Sequence, residues 1–228
     1  PKPHLLVENA SLSLSKSSVK NNLIDTSNLK IYIPLRSLYL RSFNKFNSTE
    51  ISDTNLDLKM SDIRELRKHL YEKINKPIIF NNCKIFLKNN ENEVILISPL
   101  KKILYKINNK TRIKNLILEG KVFGLNFKSQ WKRDYNIPKS SVHNIVIYNP
   151  KIQIKNIYKY ENIKDFTTET FIFYEQDKMQ YNLKFENDNI IISSLNDKTN
   201  FNINSKIQLK PFYFDGNIKI INKKVENI

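Results

Sequence analysis

Apolar and polar residues alternate one for one through most of this chain, the period of a β-strand with a single apolar face. The pattern opens at Leu12-Ser13-Leu14 and Leu29-Lys30-Ile31-Tyr32-Ile33, then returns at Leu56-Asp57-Leu58-Lys59-Met60 and Cys83-Lys84-Ile85-Phe86-Leu87. It continues through Val94–Ile97, Tyr105–Ile107, Leu116–Leu118, Leu125–Phe127 and Ile145–Ile147. It is densest in the last third, at 152–154, 171–173, 181–185, 190–192, 201–203, 207–209, 212–214 and 218–220. Recurrence at roughly 8–14 residues predicts a mainly β fold, a meandering antiparallel sheet.

One stretch has a different period. Ile63, Leu66, Leu70 and Ile74 recur at helical spacing, with Ser61 as N-cap, Asp62 in the first turn and Pro77 as the stop. This predicts one amphipathic helix near residues 61–75, lying over a sheet face or plugging one end. A second, shorter helix is expected at 98–104, because Pro99 suits a first helical turn. No low-complexity tract divides the chain. Residues 1–228 are read as a single β-rich domain, or a segment of a longer protein, with a loop at 135–141 around Pro138.

Composition alters this picture in two places. Only 3 glycines occur, so the breaks fall on pairs such as Asn89-Asn90, Asn108-Asn109 and Asn187-Asp188-Asn189. Asn tolerates the left-handed backbone better than most residues and can stand in for Gly. The formal charge is +16, from 38 cations against 22 acids, but the cations are mainly dispersed lysines. A nucleic-acid site more often gathers Arg and Lys on one stripe.

Residues capable of chemistry are sparse. The three histidines, His4, His69 and His143, lie far apart, and His69 has Lys73 rather than a ligand one turn on. The glycines at 120, 124 and 216 cannot form a phosphate loop, and no nucleophile elbow is present. Glu91 and Glu93 sit in a turn-like stretch. Cys83, the single cysteine, is expected in a buried strand and rules out an internal disulfide framework. No catalytic residue, metal site or cofactor is expected. Tyr158-Lys159-Tyr160 and the Phe127–Trp131–Lys132–Arg133 stretch could stack bases beside phosphates, though strands use the same aromatics for packing.

Several phrases resemble a known family. Val7-Glu8-Asn9-Ala10-Ser11-Leu12-Ser13-Leu14, followed by Asn28 to Leu38, is similar to the opening of AsmA-like proteins of Gram-negative envelopes. Gly120 to Trp131, where a Gly-marked turn leads into an amphipathic strand, and Leu209 to Gly216 are similar to strands of that group. The resemblance spans nearly the whole chain but involves no catalytic motif. It implies a non-enzymatic periplasmic protein, anchored by an inner-membrane helix upstream of Pro1. It also implies a repeating β-groove, a long curved antiparallel meander forming an open groove or half-barrel, whose apolar face shelters phospholipid acyl chains in lipid transport or outer-membrane biogenesis. The lysine excess would then attract anionic headgroups at the groove rim.

The groove residues expected from the densest alternation are Leu183, Phe185, Ile190, Ile192, Phe201, Ile203, Ile207 and Leu209. Two other classes stand beside this reading. One is a structural or adhesive protein whose apolar face is ordinary closed core; the other is a basic nucleic-acid-binding module.

Overall fold

A computed structural model describes residues 3–8, 10–13, 22–26, 28–39, 46–59, 74–89, 91–137, 139–160, 166–186, 189–195, 201–209 and 212–220. The chain divides into two compact units, Pro1–Lys128 and Ser129–Ile228. Both are mainly β.

The first unit holds β1 (His4–Val7), β2 (Ala10–Ser13), β3 (Asn22–Thr26) and β4 (Asn28–Tyr32). A five-residue helix α1 (Leu35–Tyr39) follows, then β5 (Ser48–Lys59), β6 (Ile78–Lys88), β7 (Val94–Asn108) and β8 (Ile113–Val122). Hydrogen-bond order is β1-β4-β5-β6-β7-β8, with β2 and β3 off this path and β3 also pairing β5. Strand β9 (Leu125–Asp134) crosses the sequence division. The second unit continues with β10 (Ser140–Tyr148), β11 (Lys151–Tyr160), β12 (Phe166–Tyr174) and β13 (Asp177–Glu186). It ends in β14 (Asn189–Ser194), β15 (Phe201–Leu209) and β16 (Phe212–Ile220), each strand antiparallel to the next. Neither path closes into a barrel among the described residues.

The meander expected from alternation is present except at the start of the chain, where β1 pairs β4 and β3 pairs β5, and at one parallel pair. Strands β5 and β6 are parallel, pairing Thr49 with Ile78 and Leu58 with Leu87. A parallel pair cannot be joined by a tight turn, and the connection here spans residues 60–77. The helix expected at 61–75 falls on this connection, and residues 60–73 lie outside those described. At its far end the Ile74 carbonyl accepts hydrogen bonds from Tyr105 Oη (3.4 Å) and Lys114 Nζ (3.3 Å).

The short helix expected at 98–104 is not there. Those residues belong to β7, which runs unbroken from Val94 to Asn108. The cause is a bulge. Ser98 and Leu100 are buried, then Lys101 is inserted and the buried positions resume at Ile103 and Tyr105. The slip hides the period-2 pattern and leaves Pro99 looking like a helix start. Matching extra residues occur in the two neighbours, at Asp53 (φ 53°) in β5 and Asn82 (φ 51°) in β6. Asn82 Nδ2 donates to the Asp53 carboxylate. By register Asp53, Asn82 and Lys101 lie side by side, so three adjacent strands kink along one line.

That kinked sheet carries the core of the first unit. Leu56, Cys83, Leu100 and Ile103 form a buried cluster, against which Phe80, Ile85, Leu116, Leu118 and Phe127 pack. Gly120 lies opposite Leu100, and a Cβ there would stand 2.4 Å from the Pro99 carbonyl oxygen. The β8–β9 turn is Phe123-Gly124, both with positive φ (49° and 78°), the geometry of a two-residue hairpin loop. Asn does serve in turns, by two routes. Asn92 takes φ 67°, whereas Asn108 Oδ1 accepts the backbone N–H groups of Lys110 and Thr111 while Arg112 takes the positive φ.

Candidate apolar sheet face

Residues opposite one another in an antiparallel ladder share a face, so the registers of the second unit sort its side chains. Leu183 faces Ile192, Phe185 faces Ile190, and Ile190 faces Ile207. In β15 the positions 201, 203, 207 and 209 share this side, facing Ile220, Ile218, Phe214 and Phe212 of β16. All eight expected groove residues thus belong to one face. The side chains of Phe201 and Leu209 lie outside those described.

The face continues towards β10. Phe166 faces both Phe185 and Tyr160, Thr168 faces Leu183 and Tyr158, and Ile172 faces Met179 and Ile154. One row across the sheet therefore reads Tyr160, Phe166, Phe185, Ile190, Ile207, Phe214. Rings touch along it: Phe166 and Phe185 stack at 4.1 Å, and Phe166 tilts against Tyr158 and Tyr160 at 5.8 and 5.9 Å. Trp131 of β9 extends the ladder, stacking on Tyr158 at 4.9 Å and on His143 at 4.7 Å.

The same face carries short polar side chains that the alternation pattern did not single out. Ser129, Ser141, Thr168, Thr170 and Ser205 are all buried. Most are satisfied within the sheet: Ser141 Oγ bonds Tyr160 Oη (2.8 Å) and Thr170 Oγ1 donates to Asn156 Oδ1 (2.7 Å). Ser129 Oγ lies 2.7 Å from His143 Nε2, and either can donate, depending on the tautomer. Burial drives the His143 pKa down to about 4, so the ring is neutral at neutral pH. Neighbouring strand amides are engaged in the ladder and cannot converge as an oxyanion hole beside Ser129. The pair satisfies two buried polar groups.

The other face carries the charge, although Ile157, Phe171, Phe173 and Ile191 also lie on it. Over β11–β16, Lys151, Lys155, Lys159, Lys178, Lys184, Lys206 and Lys219 all fall on it, with Glu169, Glu186 and Asp215. Ion pairs join Lys159 to Glu169 (2.9 Å) and Lys184 to Glu186 (2.6 Å). The lysines are therefore on the reverse of the apolar face, not along its rim. The same alternation separates Tyr158 and Tyr160 from Lys159, so these aromatics and this cation do not form a joint platform for bases and phosphates.

Exposure distinguishes an open face from a closed core. The side chains of a closed sandwich interior are almost wholly screened. Here Tyr181 (4%) is the one buried hydrophobic among the described residues of this unit. Leu183, Phe185, Ile190, Ile192, Ile203 and Ile207 are half-buried, screened by their sheet neighbours, while Phe214 and Ile218 are 46% and 53% exposed.

Elsewhere, Cys83 is 2% exposed and burial raises its thiol pKa to about 11, which keeps it protonated and unreactive. Glu93 accepts from the Asn89 amide within a turn (2.8 Å). His69 lies outside the described residues. No group of three or more His, Cys, Asp or Glu side chains is arranged to hold a metal ion among the described residues. No helix among them is long and apolar enough to cross a membrane. No family model, curated protein or solved structure matches the chain.

Proposed function

We propose that the second unit shelters the acyl chains of phospholipid or another acyl lipid against its apolar face, acting by surface and not by catalysis. The observation that carries this reading is the combination of a shared face and incomplete burial. Eight apolar positions chosen from the sequence share a face, and the described side chains among them are half-buried rather than enclosed. The six inter-strand steps from β10 to β16 give that face a breadth of roughly 29 Å. This is comparable to the ~30 Å hydrocarbon core of a bilayer, so it has room for acyl chains. Each CH₂ sheltered from water contributes about 0.8 kcal/mol, so partial cover of one chain is worth several kcal/mol.

With the resemblance to AsmA-like proteins, this becomes a part in phospholipid transport or outer-membrane biogenesis. The site of action would be the periplasm, with an inner-membrane helix in the parent protein. A closed-core structural or adhesive role is less well supported, because Leu183, Phe185, Ile190 and Ile192, on strands flanked on both sides, are only half-buried.

The test is lipid occupancy. Protein purified without detergent and extracted with organic solvent is expected to release phospholipid, and the emptied protein to take up a fluorescent lipid. It should also bind an apolar probe dye in the native state. Absence of both lipid and uptake in a folded preparation would reject the proposal.

A further inference from the structure

Strand β16 ends the hydrogen-bond path of the second unit, and its outer edge has no strand partner among the described residues. A free edge offers a row of backbone donors and acceptors to any other strand. Proteins blunt such edges with short strands, prolines, bulges or inward-pointing charges. β16 is nine residues long, contains no proline and pairs with β15 in an unbroken register from Phe201↔Ile220 to Leu209↔Phe212. Its apolar side chains stand in the open: Phe214 and Ile218 on the apolar face, and Tyr213 (61% exposed) on the other. One strand inward, Ile203 and Ile207 are half-buried.

The strand is also complementary to itself. Laid antiparallel against a second copy with Asn217 opposite Asn217, it puts Gly216 opposite Ile218, Asp215 opposite Lys219 and Phe214 opposite Ile220. Each contact occurs twice because the arrangement is two-fold symmetric. The axis of such a pair stands perpendicular to the sheet, so apolar positions meet apolar positions and the two Asp–Lys pairs fall together on the polar face. Within its own chain Asp215 already faces Lys206. In the pair it would sit between two lysines, one from each copy. Glycine at 216 leaves room for the branched side chain opposite. Centring the pair one residue earlier is poorer: Gly216 would face Gly216, leaving a gap, and Asp215 would face Asn217 with no charge partner.

We propose that β16 is a homodimerisation edge, pairing with β16 of a second copy in the register centred on Asn217. The apolar face then runs uninterrupted from one copy into the other. This inference rests on strand order, register and charge, and it stands or falls independently of lipid binding.

Sedimentation velocity over a concentration series is expected to show the 27.0 kDa chain converting to a species of about twice that mass. Lys219→Asp sets two aspartates against each other twice and should weaken the dimer about tenfold. The exchange Asp215→Lys with Lys219→Asp restores opposite charges and should recover it. A cysteine probe tests the register without relying on charge. Directly opposed Cα atoms in an antiparallel pair are about 4.5–5.5 Å apart, within disulfide reach. Asn217→Cys should therefore cross-link to its own copy on mild oxidation, whereas Tyr213→Cys should not. The native Cys83 is too buried to compete. A monomer at every concentration, or a dimer that ignores Lys219→Asp and fails to cross-link at 217, would overturn the proposal.

Discussion

In the first unit Ile51, Cys83, Leu100 and Tyr105 are each 2% exposed; in the second, Leu183, Ile190 and Ile207 keep part of their surface and Phe214 keeps 46%. Both units are built from alternating strands. What differs is regularity. The first contains a parallel pair and a line of bulges, which bend and twist a sheet, and the Ile74 carbonyl ahead of β6 lies against Tyr105 and Lys114. From β10 to β16 the second is a plain antiparallel meander whose registers run without a slip. Alternation makes an apolar face in either case. Irregular topology is what accompanies its burial.

The sharpest way to break this contrast is to put a charge into each face. Leu100→Asp would place a carboxylate in the enclosed cluster and should unfold the first unit, a loss of more than about 4 kcal/mol. Ile190→Asp combined with Ile203→Asp should leave the second unit folded by circular dichroism while abolishing lipid uptake. Unfolding by that pair would mean the face is closed core.

Truncation gives a smaller, graded version. Leu100→Ala should cost about 2–5 kcal/mol in denaturant titration, since a cavity is left behind. Ile203→Ala should cost about 1 kcal/mol, because less surface is re-exposed and no enclosed cavity forms. Similar losses at the two sites would erase the distinction between the units.

A third comparison uses pH. The folded-state pKa of His143 lies near 4, below the ordinary value of about 6.5. The unfolded chain therefore binds the proton first. Full stability is present above about pH 6.5 and is lost as pH falls towards 4, by at most on the order of 3 kcal/mol. Because carboxylates titrate in part of the same window, the measurement is the difference between the native chain and His143→Asn. That difference should move against the native chain as pH falls from about 6.5 to 4. A constant difference would mean that the ring is not shielded.

The smallest effect is expected at the Phe123-Gly124 turn. Gly124→Ala forces an L side chain into φ 78° and should destabilise by about 1 kcal/mol through strain alone, since no atom lies within 4 Å of the added Cβ.

How much of this was legible depended on phase. In β15 the apolar positions 201, 203, 207 and 209 keep step, and in β16 so do 212, 214, 218 and 220. The polar centres of these strands, Asn204-Ser205-Lys206 and Asp215-Gly216-Asn217, look like turns, so each strand read as two short ones. Phase is kept across the centres, with Ser205 and Gly216 occupying the apolar face. In β7 the phase slips at Lys101, and the same reasoning produced a helix where a strand runs. The parallel pairing of β5 with β6 left no local trace, because register between strands is not written in either strand alone. Nor could Ser141, Thr168, Thr170 and Ser205 be foreseen on the apolar face, since their shelter comes from side chains on other strands. Periodicity identifies a face. It does not say what, if anything, covers it.

The line of bulges through Asp53, Asn82 and Lys101 has a further consequence, for how the gene can vary. Removing the extra residue from one strand alone would turn every side chain beyond it to the opposite side of the sheet, while its neighbours stayed in place. A single-codon deletion at any of the three positions thus acts inside the folded sheet as a frameshift does in a message. It can be tolerated only if the adjacent strands lose a codon in concert, so the three segments are bound to change length together.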